Sequence, residues 1–539
     1  MSELHFLADQ LLAIRRKLDP LDDAFAMLNR SGYILPALTE QFIHESIKAL
    51  ESIENRLSEI EIDNVSIEYE IIKSQLFEAK VKCNMRLWGT FVVGYDHSPI
   101  GRIGGLLSSL KVETNEERVS FVKIFNSIDI YIDSCCNQLV SSYTNGRAPL
   151  SSNVYSAIER WNNIIANNGV DLIPPSLDEE LKFACKKVFE VKVIPSIIRY
   201  CDILMSIADG CRSDEQPGLC YISDGKQNYI DLVKINTDNF AHPEQIFNLG
   251  STEIIRIKKE ISLLVENSVQ SFSSSFAVIP EEVNNYLSEA DFMQDLYEII
   301  SNVDQQFETV FNFSGLGAIR IETIPAHLAH NSPAAYYVPG SGTKNPGILY
   351  INPSCMVGEP KGSVNSVIYH ETLPGHHAQF EYIRKLSLPD FRKSSWFNCY
   401  IEGWALYIED LAAELGLYTT IQQMLGKLNQ ELFRATRLVV DTGIHYFGWS
   451  KNKAISYLIE NANLSESKAT NEVERYIEYP AQALSYATGK FHLLALRKQC
   501  QNFEGKSFDM MTFHHRILKH GAVPIPALAN KVMSEIGRF

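Results

Sequence analysis

The sequence predicts a mainly α-helical protein with a small antiparallel β-sheet placed directly before a histidine-rich helix. Over most of the 539 residues, apolar side chains recur at three- and four-residue spacing, which is typical of amphipathic helices. Between 316 and 353 this pattern gives way to short β-branched and aromatic runs bounded by Pro, Gly and Asn, which predict two or three strands.

The helices are predicted from this periodicity, and Gly-, Pro- and Ser-containing stretches separate them. Helical patterns cover 1–83, 115–165, 176–208, 241–266, 281–311, 394–415, 421–446, 451–462, 466–478 and 484–501. The strands are predicted within 318–326, 334–341 and 347–354, with a turn at 339–347. A further helix is expected to begin near Ser363, which is a favourable N-cap residue.

Composition excludes several classes of protein. A net charge of -16 argues against a nucleic-acid partner, because the phosphates would be repelled. We expect no membrane association, because no run approaches the roughly eighteen apolar residues of a spanning helix. The first residues lack the pattern of a secretory signal, and the ten cysteines are scattered. These features predict a cytoplasmic location without disulfides.

The stretch VIYHETLPGHHAQF (367–380) suggests a metal site. His370 and Glu371 match the first half of the zinc-protease motif H-E-x-x-H, but Pro374 occupies the position of the second histidine. His376 and His377 follow. On an unbroken helix His377 would share the face of His370 but lie about 10.5 Å along the axis. A kink or bulge at the proline would bring either His376 or His377 toward His370, and spacing leaves the choice open.

Glu402 is the candidate for a third ligand. It lies in the segment YIEGWALYIEDLAAELG (400–416), among bulky apolar side chains. A buried carboxylate is costly unless it is paired or bound to a metal. Taken singly, each of these residues is typical of an ordinary core, but the combination favours a site for Zn²⁺.

Two later segments offer groups for catalysis and substrate binding. Asp441 and His445 lie four residues apart on a predicted helix, so the carboxylate could orient the imidazole. We assign His445 and Tyr486 to stabilisation of an oxyanion. We expect Arg475 to bind a carboxylate of the substrate, and Tyr476 and Lys490 to donate further hydrogen bonds to it. Ala334 and Ala335 would let a peptide pair with an edge strand.

The motifs HETLPGHHAQF, EGWALYIEDL, RLVVDTGIHYFGWS, ERYIEYPAQALSYATGK and FHHRILKHGAVPIPAL, in this order, resemble the DUF885 family of zinc-metallopeptidase-like proteins. The similarity extends over about 240–539. It implies a multi-helical, zincin-like metallopeptidase fold related to the gluzincins. The helical patterns predict an N-terminal helical region, 1–240, packed over a catalytic region, 241–539, or one integrated domain.

The resemblance also implies roles for the motif residues. His370 and Glu402 would bind one Zn²⁺ per chain, together with His376 or His377, and Glu371 would be the general base. The expected function is zinc-dependent hydrolysis of amide bonds in short peptides. One alternative is a dedicated hydrolase of a small peptide-like metabolic intermediate, and another is an inactive metal-binding structural or regulatory protein. Glu371 argues against inactivity, because a degenerate site would be free to lose its base.

Overall fold

The computed structural model describes residues 3–537 except 20–33, 62–65, 87–92, 95–97, 99, 104–106, 108–111, 113, 168, 170–171, 174–176, 272–284, 325–333, 341–345 and 358. Most of the predicted turn at 339–347 therefore lies outside the described residues, as does the start of the helix predicted at 281. In the described chain, α-helices predominate around one small sheet.

The helices before the sheet follow one another in chain order. They are α1 (Glu3–Leu18), α2 (Glu40–Ser58), α3 (Ile67–Met85), α4 (Asn115–Phe125), α5 (Ile128–Thr144), α6 (Ser151–Ala166), α7 (Glu179–Val188), α8 (Ile194–Ile207), α9 (Gly225–Asn236), α10 (Pro243–Ser271) and α11 (Glu289–Phe307). A π-helical turn, Phe189–Val193, joins α7 to α8. The helical patterns predicted at 115–165 and 176–208 are thus each divided into shorter helices.

The helices after the sheet carry the motifs. They are α12 (Val364–Glu371), α13 (His376–Lys385), α14 (Asp390–Lys393), α15 (Asn398–Glu414), α16 (Ile421–His445), α17 (Lys451–Ala462), α18 (Glu466–Glu478), α19 (Ser485–Glu504), α20 (Met510–Leu518) and α21 (Ile525–Ile536). The bounds predicted for α17 and α18 are confirmed. Helix α12 begins where predicted, but Ser363 does not cap it, because its hydroxyl donates to Pro360 O.

The sheet is mixed, so the prediction of an antiparallel sheet is wrong for one pair of strands. Strands β1 (Ile319–Thr323), β2 (Ala335–Val338) and β3 (Gly347–Ile351) are ordered β1-β3-β2. The β2–β3 pair is antiparallel, whereas β1 and β3 are parallel. A parallel pair needs a crossover rather than a tight turn, and the intervening strand β2 lies at the opposite edge.

The sheet shares a small core with α12. Leu349 and Ile351 of the central strand pack with Val364 and Ile368 of the helix, and all four are almost completely buried. Alternate residues of a strand face one side, so β3 presents its apolar face to α12. This packing fixes the helix that ends at His370 and Glu371.

The two ends of the chain pack together. One cluster of buried apolar side chains extends from Leu7 in α1 to Ile536 in α21. Polar contacts join the same regions: Gln75 in α3 donates to Ser395 Oγ at 2.8 Å. The predicted boundary near residue 240 stays a prediction. In the described chain, no helix is long and apolar enough to cross a membrane.

Helices α15, α16 and α19 are joined by a buried ionic network. Lys490 Nζ lies 3.0 Å from carboxylate oxygens of both Asp410 and Glu431. Lys427 Nζ contacts the same two residues at 2.8 and 2.7 Å. Burial lowers the pKa of Lys490, but the two carboxylates raise it above its ordinary value. Lys490, which was predicted to bind substrate, is thus engaged with buried carboxylates of the fold.

We expect Lys490→Met to lower the free energy of unfolding by roughly 3–5 kcal/mol, because it leaves buried carboxylates short of a cation. Urea unfolding monitored by circular dichroism measures this change. Lys519→Met is the matched control, because Lys519 and Glu535 form an ion pair with side chains 32% and 25% exposed. Its loss should cost less than about 1 kcal/mol. Equal effects of the two substitutions would contradict the structural role of Lys490.

Candidate metal centre

The histidine motif is divided between two helices. Helix α12 ends at Glu371, and α13 begins at His376. The connection Thr372–Gly375 has non-helical backbone at both of its ends and includes a cis Leu373–Pro374 bond. The distortion predicted at Pro374 is thus a complete interruption of the helix.

Close packing holds this interruption in place. A Cβ atom added to Gly375 would lie 2.0 Å from His370 O and 2.3 Å from Tyr369 O. Only a glycine fits so near to two backbone carbonyls. The indole of Trp404, in α15, donates a hydrogen bond to Pro374 O at 3.0 Å. The EGWALY segment therefore supports the turn that separates the histidines.

Three ligand-type side chains converge at the interruption. His370 Nε2 and His376 Nε2 each lie 3.7 Å from Glu402 Oε2. One potential ligand atom from each residue falls within 4.8 Å of the others. Four-coordinate zinc with bonds of 2.0–2.2 Å separates its ligands by about 3.4 Å. The group therefore fits zinc after a contraction of at most about 1.4 Å.

The adjacent histidines His376 and His377 differ in their contacts. His377 Nε2 donates to Gly317 O at 2.9 Å, and Nδ1 accepts from the hydroxyl of Tyr337 at 2.9 Å. Burial lowers the pKa of His377, in keeping with a neutral ring. His377 thus ties α13 to strand β2, and it is not among the converging donors. Helical phase favoured His377, but the new helix starting at His376 resets that phase.

Glu409 is a functional candidate that the sequence analysis missed. Its Oε1 lies 2.9 Å from Nδ1 of His370, which leaves Nε2 directed at Glu402. Glu409 follows Glu402 by seven residues on α15. Because seven residues are nearly two helical turns, both carboxylates lie on one face. This seven-residue spacing is the sequence feature from which Glu409 could have been predicted. A second carboxylate on a ligating histidine is a usual feature of metal sites.

The electrostatics of the cluster favour a shared positive charge. Burial lowers the pKa of His370, but hydrogen bonds to Glu402 and Glu409 raise it to about 9. Burial raises the pKa of Glu402, yet the two histidines hold it well below its usual range. A cation is thus stabilised between these groups, and a metal ion would have to displace a proton. Among the described residues, Nδ1 of His376 is buried without a hydrogen-bond partner.

Glu371 and Tyr486 lie next to the cluster. Glu371 is half-buried, and its charge contributes to the raised pKa of His370. Burial and the charge of Glu402 raise the pKa of Tyr486. Helices α15 and α19 cross at Gly403 and Gly489, where a Cβ on the former would lie 2.5 Å from the latter. This close approach brings Tyr486 beside Glu402.

The structure places His445, which was predicted to stabilise an oxyanion, in the interior of the fold. Its Nε2 donates to Tyr476 O at 2.9 Å, and Nδ1 accepts from the backbone N–H of Leu219 at 3.2 Å. Both ring nitrogens are used inside the fold, and burial lowers the pKa of His445 to about 3. Asp441 does not orient this ring. It accepts instead from Tyr229 Oη at 2.6 Å, and burial raises its pKa to about 7.

The remaining predicted substrate residues differ in their positions. Tyr476 is 0% exposed and belongs to a hydrophobic cluster, and its contact with substrate stays a prediction. Arg475 already contacts Glu472 at 2.9 Å and Gln482 at 2.7 Å. Ala335 belongs to strand β2 and pairs with β3, and Ala334 O accepts from Asn352 N in the same ladder.

The chain belongs to the family DUF885, described as a bacterial protein of unknown function, whose model matches residues 23–532. The match therefore extends well beyond the 240–539 region expected from the motifs. A search of curated proteins finds no match.

Two solved structures have a similar fold. One is described as "the putative lipoprotein from Colwellia psychrerythraea"; it is 23% identical over 100% of both chains, with a TM-score of 0.85. The other, "a putative lipoprotein of unknown function from Shewanella oneidensis", is 15% identical, with a TM-score of 0.75 over 99% of this chain and 100% of that one. At these identities the similarity concerns the fold alone.

Gly375→Ala should weaken zinc binding at least about tenfold, because the added methyl group forces apart the backbone that carries two of the donors. Competition with a chromophoric chelator measures the dissociation constant. Gly537→Ala is the control, since a Cβ there would lie 3.4 Å from Met533 O, an ordinary contact distance. Unchanged zinc affinity in Gly375→Ala would show that the close approach does not hold the site together.

Proposed function

We propose that this protein is a zinc-dependent hydrolase that cleaves amide bonds in short peptides. The observation that carries the proposal is the convergence of His370, His376 and Glu402 within 4.8 Å in a nearly buried position. Two histidines and a downstream glutamate are also the donor set of gluzincin peptidases, so we propose a zincin-like relationship for the fold. Zinc fits because the donors include two imidazole nitrogens and one carboxylate oxygen.

Glu371 is the general base of the proposed reaction. When bound, zinc would acidify a water and polarise the scissile carbonyl. Glu371 follows the ligand His370 directly and, among the described residues, forms no hydrogen bond or ion pair that would compete for its proton-accepting oxygens. It takes the proton of the attacking water and returns it to the leaving amine.

Tyr486 is the donor proposed for the oxyanion. Its raised pKa keeps the hydroxyl protonated, and the influence of Glu402 on that pKa indicates that the two groups are near. Removing such a donor typically costs about 10²–10³ in rate. His445 is not proposed again, because its nitrogens are both bonded within the core.

The edge strand β2 is the proposed support for an extended substrate. It is the last strand in the order β1-β3-β2, so one of its edges faces away from the sheet. Tyr337 of this strand is bonded to His377, next to the ligand His376. A peptide added at this edge would therefore run beside the donors, and the small side chains of Ala334 and Ala335 would leave room for it.

We expect Glu371→Gln to lose at least about 10²-fold of peptide hydrolysis while retaining zinc, because the amide cannot accept the proton. Hydrolysis of a short-peptide library, followed by mass spectrometry, is measured beside zinc content. Glu414→Gln is the matched control, because Glu414 is the last residue of α15, at the end away from Glu402, and pairs with Arg497.

Two results would contradict the proposal. Zinc retained in wild type without hydrolysis of any peptide would favour the inactive metal-binding alternative. Full turnover by Glu371→Gln would remove this residue from the chemistry. Hydrolysis restricted to a single small amide would instead favour the dedicated metabolic hydrolase.

A further inference from the structure

Three arginines lie near Tyr486, and two of them contact the carboxylate of Glu472. Arg437 and Arg475 both donate to the same oxygen of Glu472, at 3.2 and 2.9 Å. The guanidinium of Arg437 also lies 4.9 Å from the ring centroid of Tyr486. Arg434 is one turn before Arg437 on α16. The group joins helices α16, α18 and α19 on one side of the candidate metal centre.

The three arginines carry more positive charge than Glu472 neutralises. Glu472 is shared by two arginines, and within the described part of the chain Arg434 forms no ion pair. Arg437 is only 7% exposed, and the Nε atoms of Arg434 and Arg437 are buried without hydrogen-bond partners among the described residues. Buried guanidinium groups are costly unless an anion compensates them. The uncompensated positive charge would therefore favour the binding of a further anion.

This cluster acts on the same groups as the metal centre. Burial lowers the pKa of Arg434, and the charge of Glu409, which bonds His370, partly offsets this effect. Tyr486 lies between the two sites, because its ring faces Arg437 and the charge of Glu402 raises its pKa. An anion bound here would lie beside the proposed reaction centre rather than at a remote surface.

We propose that Arg434 and Arg437 bind a carboxylate of the substrate, either the free C-terminus of a peptide or an acidic side chain. This inference rests on the proposed function, since it names a substrate class for that site. Glu472 already shows that a carboxylate is held by the guanidinium group of Arg437, together with that of Arg475. Arg475, expected from the sequence to bind the substrate carboxylate, is engaged by Glu472 and Gln482 instead.

Calorimetric binding to the Glu371→Gln protein tests the inference without turnover. Trialanine should bind roughly 10–150-fold more tightly than trialanine amide if the C-terminus is the ligand. Ala-Ala-Glu amide should exceed trialanine amide by a similar factor if a side chain is the ligand. The net charge of -16 favours the more cationic amides, so a preference for the acid reports local recognition.

Arg434→Met and Arg437→Met should each reduce the preference below about threefold. Arg434→Met keeps the test decisive if Arg437→Met does not fold, because it removes no ion pair. Arg516→Met, which breaks a contact with Glu504 in another part of the chain, is the control and should keep the preference.

The inference is overturned if neither carboxylate increases affinity, or if the preference survives in both variants. The proposed function can be contradicted separately. Wild type that prefers carboxylates but hydrolyses no peptide would contradict the proposed hydrolysis and still support the carboxylate subsite. Equal hydrolysis of peptide acids and peptide amides, without any preference in binding, would contradict only the carboxylate subsite.

Discussion

The candidate site depends on one constraint, the close contact of Gly375 with the carbonyl oxygens of Tyr369 and His370. On a continuous helix, residues six apart are separated by about 9 Å along the axis and point in different directions. The interruption removes both obstacles, because α13 starts anew at His376 and runs in its own direction. Trp404 holds the turn from the helix that also supplies Glu402. The pieces of the donor set are thus coupled through backbone contacts rather than through a ligand spacing within one helix.

A second layer of buried polar groups makes this arrangement affordable in free energy. Glu409 orients His370, and Asp410, the next residue, belongs to the network of Lys427, Glu431 and Lys490. Buried polar groups stabilise a fold only when their partners are in place. The donor cluster meets this condition with a proton, since His370 has a pKa raised to about 9. Zinc would replace that proton, which couples metal affinity to pH.

Much of the helical fold was predictable, because amphipathic periodicity is a local property of the chain. Helices α17 and α18 were located to the residue. The parallel pairing of β1 with β3 was not, since the pairing depends on where β2 is inserted and not on any strand's own pattern. His370, His376 and Glu402 were among the residues predicted from the sequence, and the structure brings these three together, whereas the role of Glu371 stays a prediction. The choice of His376 over His377 needed the long-range partners of His377, Gly317 and Tyr337.

The late motifs show a different limit of sequence reasoning. Polar residues with suitable chemistry in a family motif suggested roles at the reaction centre for His445, Tyr476 and Lys490. In the structure, His445 and Lys490 have partners within the fold, and Tyr476 is fully buried. Arg434 and Arg437 could not be predicted from the sequence, because their excess of positive charge depends on the sharing of Glu472 between Arg437 and Arg475. Partner counts of this kind require coordinates.

Zinc content and X-ray absorption of wild type, His376→Ala and His377→Ala test the central claim most directly. The account predicts roughly one zinc per chain, with imidazole and carboxylate ligands, in wild type and in His377→Ala, and none in His376→Ala. Loss of zinc from His377→Ala with retention in His376→Ala, or wild type that binds no zinc, would contradict it.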